Sequence, residues 1–152
     1  MSTLPSIGFI ILIAVGCANG AVEPSSAARL QQKPSKSIPV TDYSSLVHHL
    51  RALGAGASAA GDVEQPFFSV TGKMIKVHGE DVQVFQYADA AAVEAEAAPI
   101  ARDGMTVGTK KIFWVGAPHF FKKEKLLVLY VGDNPKVLKA LAALLGRQFA
   151  GQ

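Results

Sequence analysis

The stretch Leu126-Leu127-Val128-Leu129-Tyr130-Val131 is apolar at all six positions. Successive side chains of a strand point to opposite faces of its sheet, so an unbroken apolar run predicts a strand that is covered on both faces. A strand of this kind lies inside a sheet and not at its edge. The stretch therefore predicts the central strand of a β-sheet with other elements packed on either side.

The residues around this strand predict a hairpin before it and a helix after it. Ala117–Lys122 predicts a neighbouring strand, joined to it by the charged turn Lys123–Lys125. Asp133 is the predicted N-cap of a helix that has Pro135 in its first turn and ends at Gly146. The buried face of that helix is predicted to comprise Val137, Leu138, Leu141, Leu144 and Leu145.

An arrangement of the same order occurs earlier in the chain. Lys73–Val77 and Val82–Tyr87 predict a hairpin around His78–Asp81, and Asp89 is the predicted N-cap of a helix from Ala90 to about Ala98. The two strand-strand-helix stretches are offset by roughly 44 residues. This offset favours two β-β-α pseudo-repeats in one antiparallel sheet, with a chance likeness as the alternative.

The start of the domain predicts one more helix and one more strand. Apolar residues recur at helical spacing after Thr41 and Asp42, either of which can cap a helix that ends at Gly54. The Gly- and Ala-rich stretch Gly54–Gly61 predicts a loop. Val63–Val70 predicts a strand with Pro66 at its edge or entry.

These elements together predict an α+β fold. The sheet is mainly antiparallel, with about three helices in the order α-β-β-β-α-β-β-α, and residues 40–152 form a single domain. Lys111–Val115 is predicted to be extended, and one further short strand is compatible with Thr106–Thr109.

The N-terminal segment has the composition of a signal sequence. Ile7–Val15 is uncharged and apolar, yet far shorter than the ~20 residues that span a bilayer. The only cysteine follows in the context Ala14-Val15-Gly16-Cys17, which resembles the lipobox of bacterial lipoprotein precursors. The resemblance implies a signal peptide over residues 1–16, a diacylglyceryl thioether on Cys17 and acylation of its new amino group. Several acyl chains together hold a protein stably in a bilayer.

The resemblance also implies an exported protein anchored in the cell envelope. Ala18 and not Asp follows the cysteine, which in cells with two membranes implies the outer one. Two alternatives stay open: a secreted protein cut near Ala18 or Ala21, and a single uncleaved anchor over Leu4–Val22. Residues 17–39 are rich in Ala, Ser, Pro, Gln and Lys and predict a flexible tether with an average reach of about 25 Å.

Composition and motifs argue against several classes of function. The net charge is +3, and residues 105–152 hold eight Lys or Arg against two Asp or Glu, but no basic helix or base-stacking motif indicates nucleic acid. His48, His49, His78 and His119 lack metal-ligand spacing, and no cofactor motif is present. Neither G-x-S-x-G nor S-x-x-K occurs, so no catalytic residue can be named from the sequence.

One concentration of aromatic and basic residues is the candidate binding surface. It comprises Phe113, Trp114, His119, Phe120, Phe121, Lys122 and Lys123. Adjacent aromatic residues of a strand must face opposite sides of the sheet. Either both sides are covered from within, by the second and third helices on one face and the first helix or a loop on the other, or one face keeps an exposed aromatic patch rimmed by lysines.

The lysines of this cluster also have two interpretations. Lys122, Lys123 and Lys125 are solvated turn residues that discourage aggregation, or they contact anionic lipid headgroups. The sequence as a whole predicts an envelope lipoprotein that contacts the bilayer through acylated Cys17. Its domain is expected to bind a protein or a small molecule without catalysis. The alternative is an envelope hydrolase whose catalytic residues are dispersed along the chain.

Overall fold

A computed structural model of the chain describes residues 39–152. The predicted signal peptide, Cys17 and the predicted tether as far as residue 38 lie outside the described residues. The elements are α1 (Tyr43–Ala52), β1 (Ser58–Val63), β2 (Gly72–Val77), β3 (Glu80–Gln86), α2 (Ala90–Ala97), β4 (Thr106–Val107), β5 (Lys110–Lys111), β6 (Pro118–Lys123), β7 (Leu126–Val131), α3 (Pro135–Leu145) and β8 (Ala150–Gly151). None of the helices in this part of the chain is both long and apolar enough to cross a membrane.

Six strands form one antiparallel sheet in the order β1-β2-β3-β7-β6-β8. The apolar strand β7 lies between β3 and β6, and its residues from Leu126 to Tyr130 are buried. The prediction of a central strand covered on both faces is therefore confirmed. The predicted α+β class and order of elements are confirmed as well, with β4 and β5 as a separate two-stranded ribbon.

The two faces of the sheet are covered by different elements. Helices α1 and α3 cover one face, which we call the α1/α3 face, where Val128 and Tyr130 of β7 point. Helix α2 and the segments 63–70 and 100–114 cover the opposite face, the α2 face, where Leu127 and Leu129 point. The expectation that α2 and α3 would share a face is wrong. Both hairpin-helix units are present, but their helices lie on opposite faces, so the two units share an order of elements and not a packing arrangement.

Local signals explain where the helices and the tight hairpin begin. The Asp42 carboxylate accepts the Ser45 N–H (2.8 Å), and the Ser45 hydroxyl accepts the Asp42 N–H (3.0 Å), forming a capping box. Asn134, not Asp133, is the N-cap of α3, because Pro135 occupies the first helical position and the cap must immediately precede it. His78 and Gly79 connect β2 to β3 with positive φ values of 51° and 86°, as a two-residue turn of matching twist requires.

The first strand lies earlier than the sequence indicates. Val63–Val70 was expected to be a strand, but β1 covers Ser58–Val63, within a stretch expected to be mostly loop. Its side chains are small and largely exposed, so β1 carries no alternating apolar pattern and is held to β2 by main-chain pairing at the sheet edge. The following residues form turns that fold Phe67 and Phe68 onto the α2 face, and Pro66 has no N–H to donate to a strand partner.

The N-cap of α1 predicts one pH effect on stability. The hydrogen bond from the Ser45 N–H is the main reason why the pKa of Asp42 lies below its ordinary value of 3.8, and Lys125 lowers it further. A lowered folded-state pKa stabilises the protein above the unfolded-state pKa, and this contribution is lost as pH falls through the folded-state value. Asn caps a helix as well as Asp does but does not titrate. We expect the stability advantage of the parent chain over Asp42→Asn to shrink as pH falls below about 4 in chemical unfolding; parallel pH profiles would contradict this role.

Candidate functional site

The structure divides the candidate binding surface between the core and the outside of the domain. Phe120 and Phe121 are neighbours on β6 and point to opposite faces, as strand geometry requires. Phe120 is 0% exposed in the core of the α2 face, and Phe121 is buried in the core of the α1/α3 face. Both rings are therefore core residues, because both faces of β6 are covered. Their inclusion in the candidate binding surface was wrong.

His119 also lies inside the domain. It is 5% exposed, its ring stacks on that of Tyr130 at 6.0 Å between centroids, and its Nδ1 lies 2.8 Å from Oε1 of Gln148. Its Nε2 is buried without a hydrogen-bond partner among the described residues. The side chain that fixes this imidazole is the amide of Gln148, and the ring is buried against Tyr130, so a substrate would have little access to His119.

The two predicted lysines of β6 are half-buried and differ in their contacts. The Lys122 ammonium pairs with the Glu94 carboxylate on α2 and lies 5.1 Å from the centroid of the Phe149 ring. Lys123 ends β6, next to the turn at which Glu124 takes a positive φ of 50°. Lys122 therefore links helix α2 to the sheet, and the lysine found over the Phe113 ring is Lys111, outside the predicted cluster.

Trp114 holds the segment before β6 against the α2 face. Its indole Nε1–H donates to the carbonyl oxygen of Gly104 (2.8 Å), and its ring meets Phe67 and Phe120 edge-on at centroid distances of 6.0 and 5.9 Å. Two main-chain bonds fix the ends of this segment: Ile112 N–H donates to Met105 O, and Gly132 N–H donates to Ala117 O, both at 2.8 Å. The side chains at 112 and 114 point inward, so those at 113 and 115 point outward.

Phe113 and Val115 are consequently exposed. Phe113 is 85% exposed and Val115 is fully exposed, whereas the third exposed large apolar side chain of the described residues, Leu53, lies at the end of α1. Lys110 and Lys111 precede them and are also exposed, and the Lys111 ammonium lies 5.6 Å from the centroid of the Phe113 ring. We call Lys110, Lys111, Phe113 and Val115 the Phe113 surface.

The sequence indicated only part of this surface. Phe113 and the inward anchor Trp114 belong to the predicted cluster, while Lys110, Lys111 and Val115 do not. Side chains alternate in direction along an extended segment, so Ile112 and Trp114 are expected to share one side and Phe113 and Val115 the other. This alternation does not say which side faces outward, because that depends on segments 63–70 and 100–107, which are distant in sequence or irregular.

Other polar groups of the described residues do not form a recognisable catalytic or metal site. A shallow depression of about 440 Å³ is lined by Arg102, Arg147 and Gln148, together with residues 149–151. Burial raises the pKa of Tyr87, with a smaller contribution from the Glu96 carboxylate, so its hydroxyl stays protonated. Within residues 39–152, no group of three or more His, Cys, Asp or Glu side chains is placed to hold a metal ion.

Comparisons of the chain with protein-family models, with curated proteins and with solved structures find no significant match. The function has to be inferred from the geometry of the domain and from the N-terminal sequence.

Proposed function

We propose that this chain is an exported lipoprotein, anchored to a membrane of the cell envelope through acyl chains on Cys17, whose domain is a non-catalytic binding module. The observation that carries the binding role is the exposure of Phe113 and Val115 on a segment that Trp114 and Ile112 hold in place. Exposed apolar groups on a held segment are typical of contact surfaces, because ordering the segment costs little when the contact forms.

The polar residues favour a binding module over the alternative of a hydrolase. A hydrolytic site needs a nucleophile or an activated water, a base that is itself oriented, and donors for the developing negative charge, all in one cleft. The most buried histidine of the described residues, His119, is held by the amide of Gln148 and faces Tyr130. The two acidic residues of α2 are already paired, since Glu94 pairs with Lys122 and Glu96 accepts from the Ser69 hydroxyl.

The proposed contacts of the molecule are therefore of two kinds. Acylated Cys17 inserts into the bilayer, and the domain binds a protein, a small molecule or a lipid surface. Nucleic acid is not proposed as a partner, because the chain is proposed to be exported and its described lysines are spread over three strands, a turn and helix α3.

The anchor is tested by mass spectrometry on the full chain, expressed in a bacterium that processes lipoproteins and extracted from membranes. We expect an N-terminal peptide that begins at Cys17 and carries diacylglyceryl and N-acyl groups. Cys17→Ser should remove these groups and shift most of the protein out of the acylated membrane fraction, because the thioether has no sulfur to form on. Ser26→Ala, in the predicted tether, is the matched control and should leave the modification intact.

Two results would overturn the anchor. One is an intact N-terminus or a cut near Ala18 or Ala21 without acyl groups. The other is unchanged membrane retention of Cys17→Ser, which would instead support an uncleaved anchor over Leu4–Val22.

A further inference from the structure

The Phe113 surface has the dimensions of a membrane-inserting tip rather than of a protein interface. Its two apolar side chains, Phe113 and Val115, expose on the order of 300 Å², against about 800 Å² per partner in a stable protein complex. Their sequence neighbours Gly108, Thr109, Lys110, Lys111 and Gly116 are exposed and add no large apolar side chain. A small apolar tip with a polar surround fits the boundary between headgroups and acyl chains.

The charge of the surface complements an anionic membrane. Lys110 and Lys111 are both exposed, and among residues 39–152 neither has a carboxylate within the 4.0 Å of an ion pair. Asp103 is the one acidic residue between positions 98 and 117, and its carboxylate accepts the Met105 N–H (2.9 Å). Unpaired lysines beside exposed apolar groups are attracted by lipid phosphates, and the attraction adds to the insertion of the apolar side chains.

The proposed tether is long enough to allow this contact. The domain starts where the Tyr43 N–H donates to Oε1 of Gln86 (2.8 Å), at one end of β3, whereas the Phe113 segment joins the sheet beside Gly132, at the other end. A six-residue strand is about 20 Å long, and the tether predicted for residues 17–39 has an average reach of about 25 Å. An anchored chain therefore meets its own bilayer at a high effective concentration, so even a small docking surface suffices.

We infer that the Phe113 surface docks onto the anionic headgroups of the membrane that holds the chain, with Phe113 and Val115 inserted between headgroups and Lys110 and Lys111 on lipid phosphates. This inference rests on the proposed function, because the acyl anchor supplies the proximity. Docking of this kind fixes the orientation of the domain: the α2 face lies on the membrane, and the α1/α3 side is turned away from it.

The chain contains its own reporter of docking. Trp114 is its only tryptophan and lies directly behind the two inserted side chains. The acylated full chain is reconstituted into vesicles whose phosphatidylcholine carries brominated acyl chains, with or without about 30 mol% phosphatidylglycerol. We expect Trp114 fluorescence to fall about twofold in the anionic vesicles only, since insertion by 5–10 Å brings the loop to the bromines. The fall should reverse in about 0.5 M salt, which screens the lysines.

Three double variants separate the contributions. Phe113→Ser with Val115→Ser should abolish the quenching. Lys110→Gln with Lys111→Gln should weaken docking by about fivefold for each lysine removed. Lys136→Gln with Lys139→Gln is the matched control, because it removes the same charge from two exposed lysines of α3 and should change nothing.

Flotation of the vesicles keeps failure of docking distinct from failure of the anchor. A chain that floats with the vesicles while Trp114 stays unquenched is anchored but undocked, and this overturns the inference alone. A chain that does not float overturns the proposed anchor. The inference is also overturned if the Phe113→Ser, Val115→Ser variant is still quenched, or if quenching is equal in neutral vesicles. Self-association of the chain through Phe113 in place of vesicle contact, seen by sedimentation, overturns it too.

Discussion

Phe120→Ala should lower the free energy of unfolding by about 3–5 kcal/mol, whereas Phe113→Ala should change it by less than about 0.5 kcal/mol. The two residues belong to the same aromatic cluster in the sequence, yet one is 0% exposed and the other 85% exposed. Truncating a buried ring loses its transfer free energy and leaves a cavity, while truncating an exposed ring does neither. The same substitution therefore separates a core residue from a surface residue.

The surroundings of Phe120 make its truncation costly. Its ring meets Trp114 and Phe149 at centroid distances of 5.9 and 6.2 Å, and a Cβ built on Gly104 would lie 3.1 Å from it. The cavity left by Ala would open between β6 and the segment that carries Trp114. We expect this segment to loosen in Phe120→Ala, with altered Trp114 fluorescence before the main unfolding transition.

Urea unfolding of the two full-length variants, followed by circular dichroism, measures the difference. Any contribution of residues 1–38 is common to both chains and cancels in the comparison. Phe121→Ala, on the opposite side of β6, is the positive control and should also be costly. Equal costs for Phe113 and Phe120 would show that the Phe113 surface is not exposed in solution.

The sequence predicts the fold well wherever an element carries its own pattern. β7 is apolar throughout, the Asp42 capping box marks the start of α1, and His78-Gly79 marks a tight turn, so each of these could be located from local residues. β1 could not, because Ser58–Asp62 has small, exposed side chains and is a strand only through its pairing with β2. Helix α2 has a weaker pattern because alanines occupy most of its positions, yet the prediction that Val93 and Ala97 face inward is confirmed, since both are buried.

The candidate site was harder to predict for a related reason. Phe113 and Phe120 each have an aromatic neighbour in sequence and extended surroundings, so local pattern treats them alike. Their exposure differs because segments 63–70 and 100–107 cover Phe120 and leave Phe113 outside. These segments have no repeating pattern, and their position depends on contacts such as that between the Trp114 indole and Gly104 O. Predicting exposure here requires the tertiary structure.

Gly72→Ala should destabilise the domain by about 1–3 kcal/mol through overpacking. Gly72 begins β2 and is buried, and a Cβ at this position would lie 2.6 Å from Cε1 of Phe85. The Phe85 ring cannot easily move, because it is itself buried and packs against Phe68 at a centroid distance of 4.6 Å. Gly116→Ala is the matched control: the nearest atom to its Cβ is 3.5 Å away, an ordinary contact, so its cost should be far smaller.

A second substitution shows whether the Phe85 ring is the obstacle. Phe85→Leu removes the ring atoms that the new methyl would strike, so the double variant Gly72→Ala, Phe85→Leu should be more stable than the sum of the single effects predicts. Residues in direct contact typically show interaction free energies of 0.5–3 kcal/mol in such cycles. Urea unfolding of the four chains gives this value. Additive effects would mean that Gly72 is required for another reason than the close approach of this ring. Coupling would establish that β2 can lie this close to Phe85 only because its first residue has no side chain.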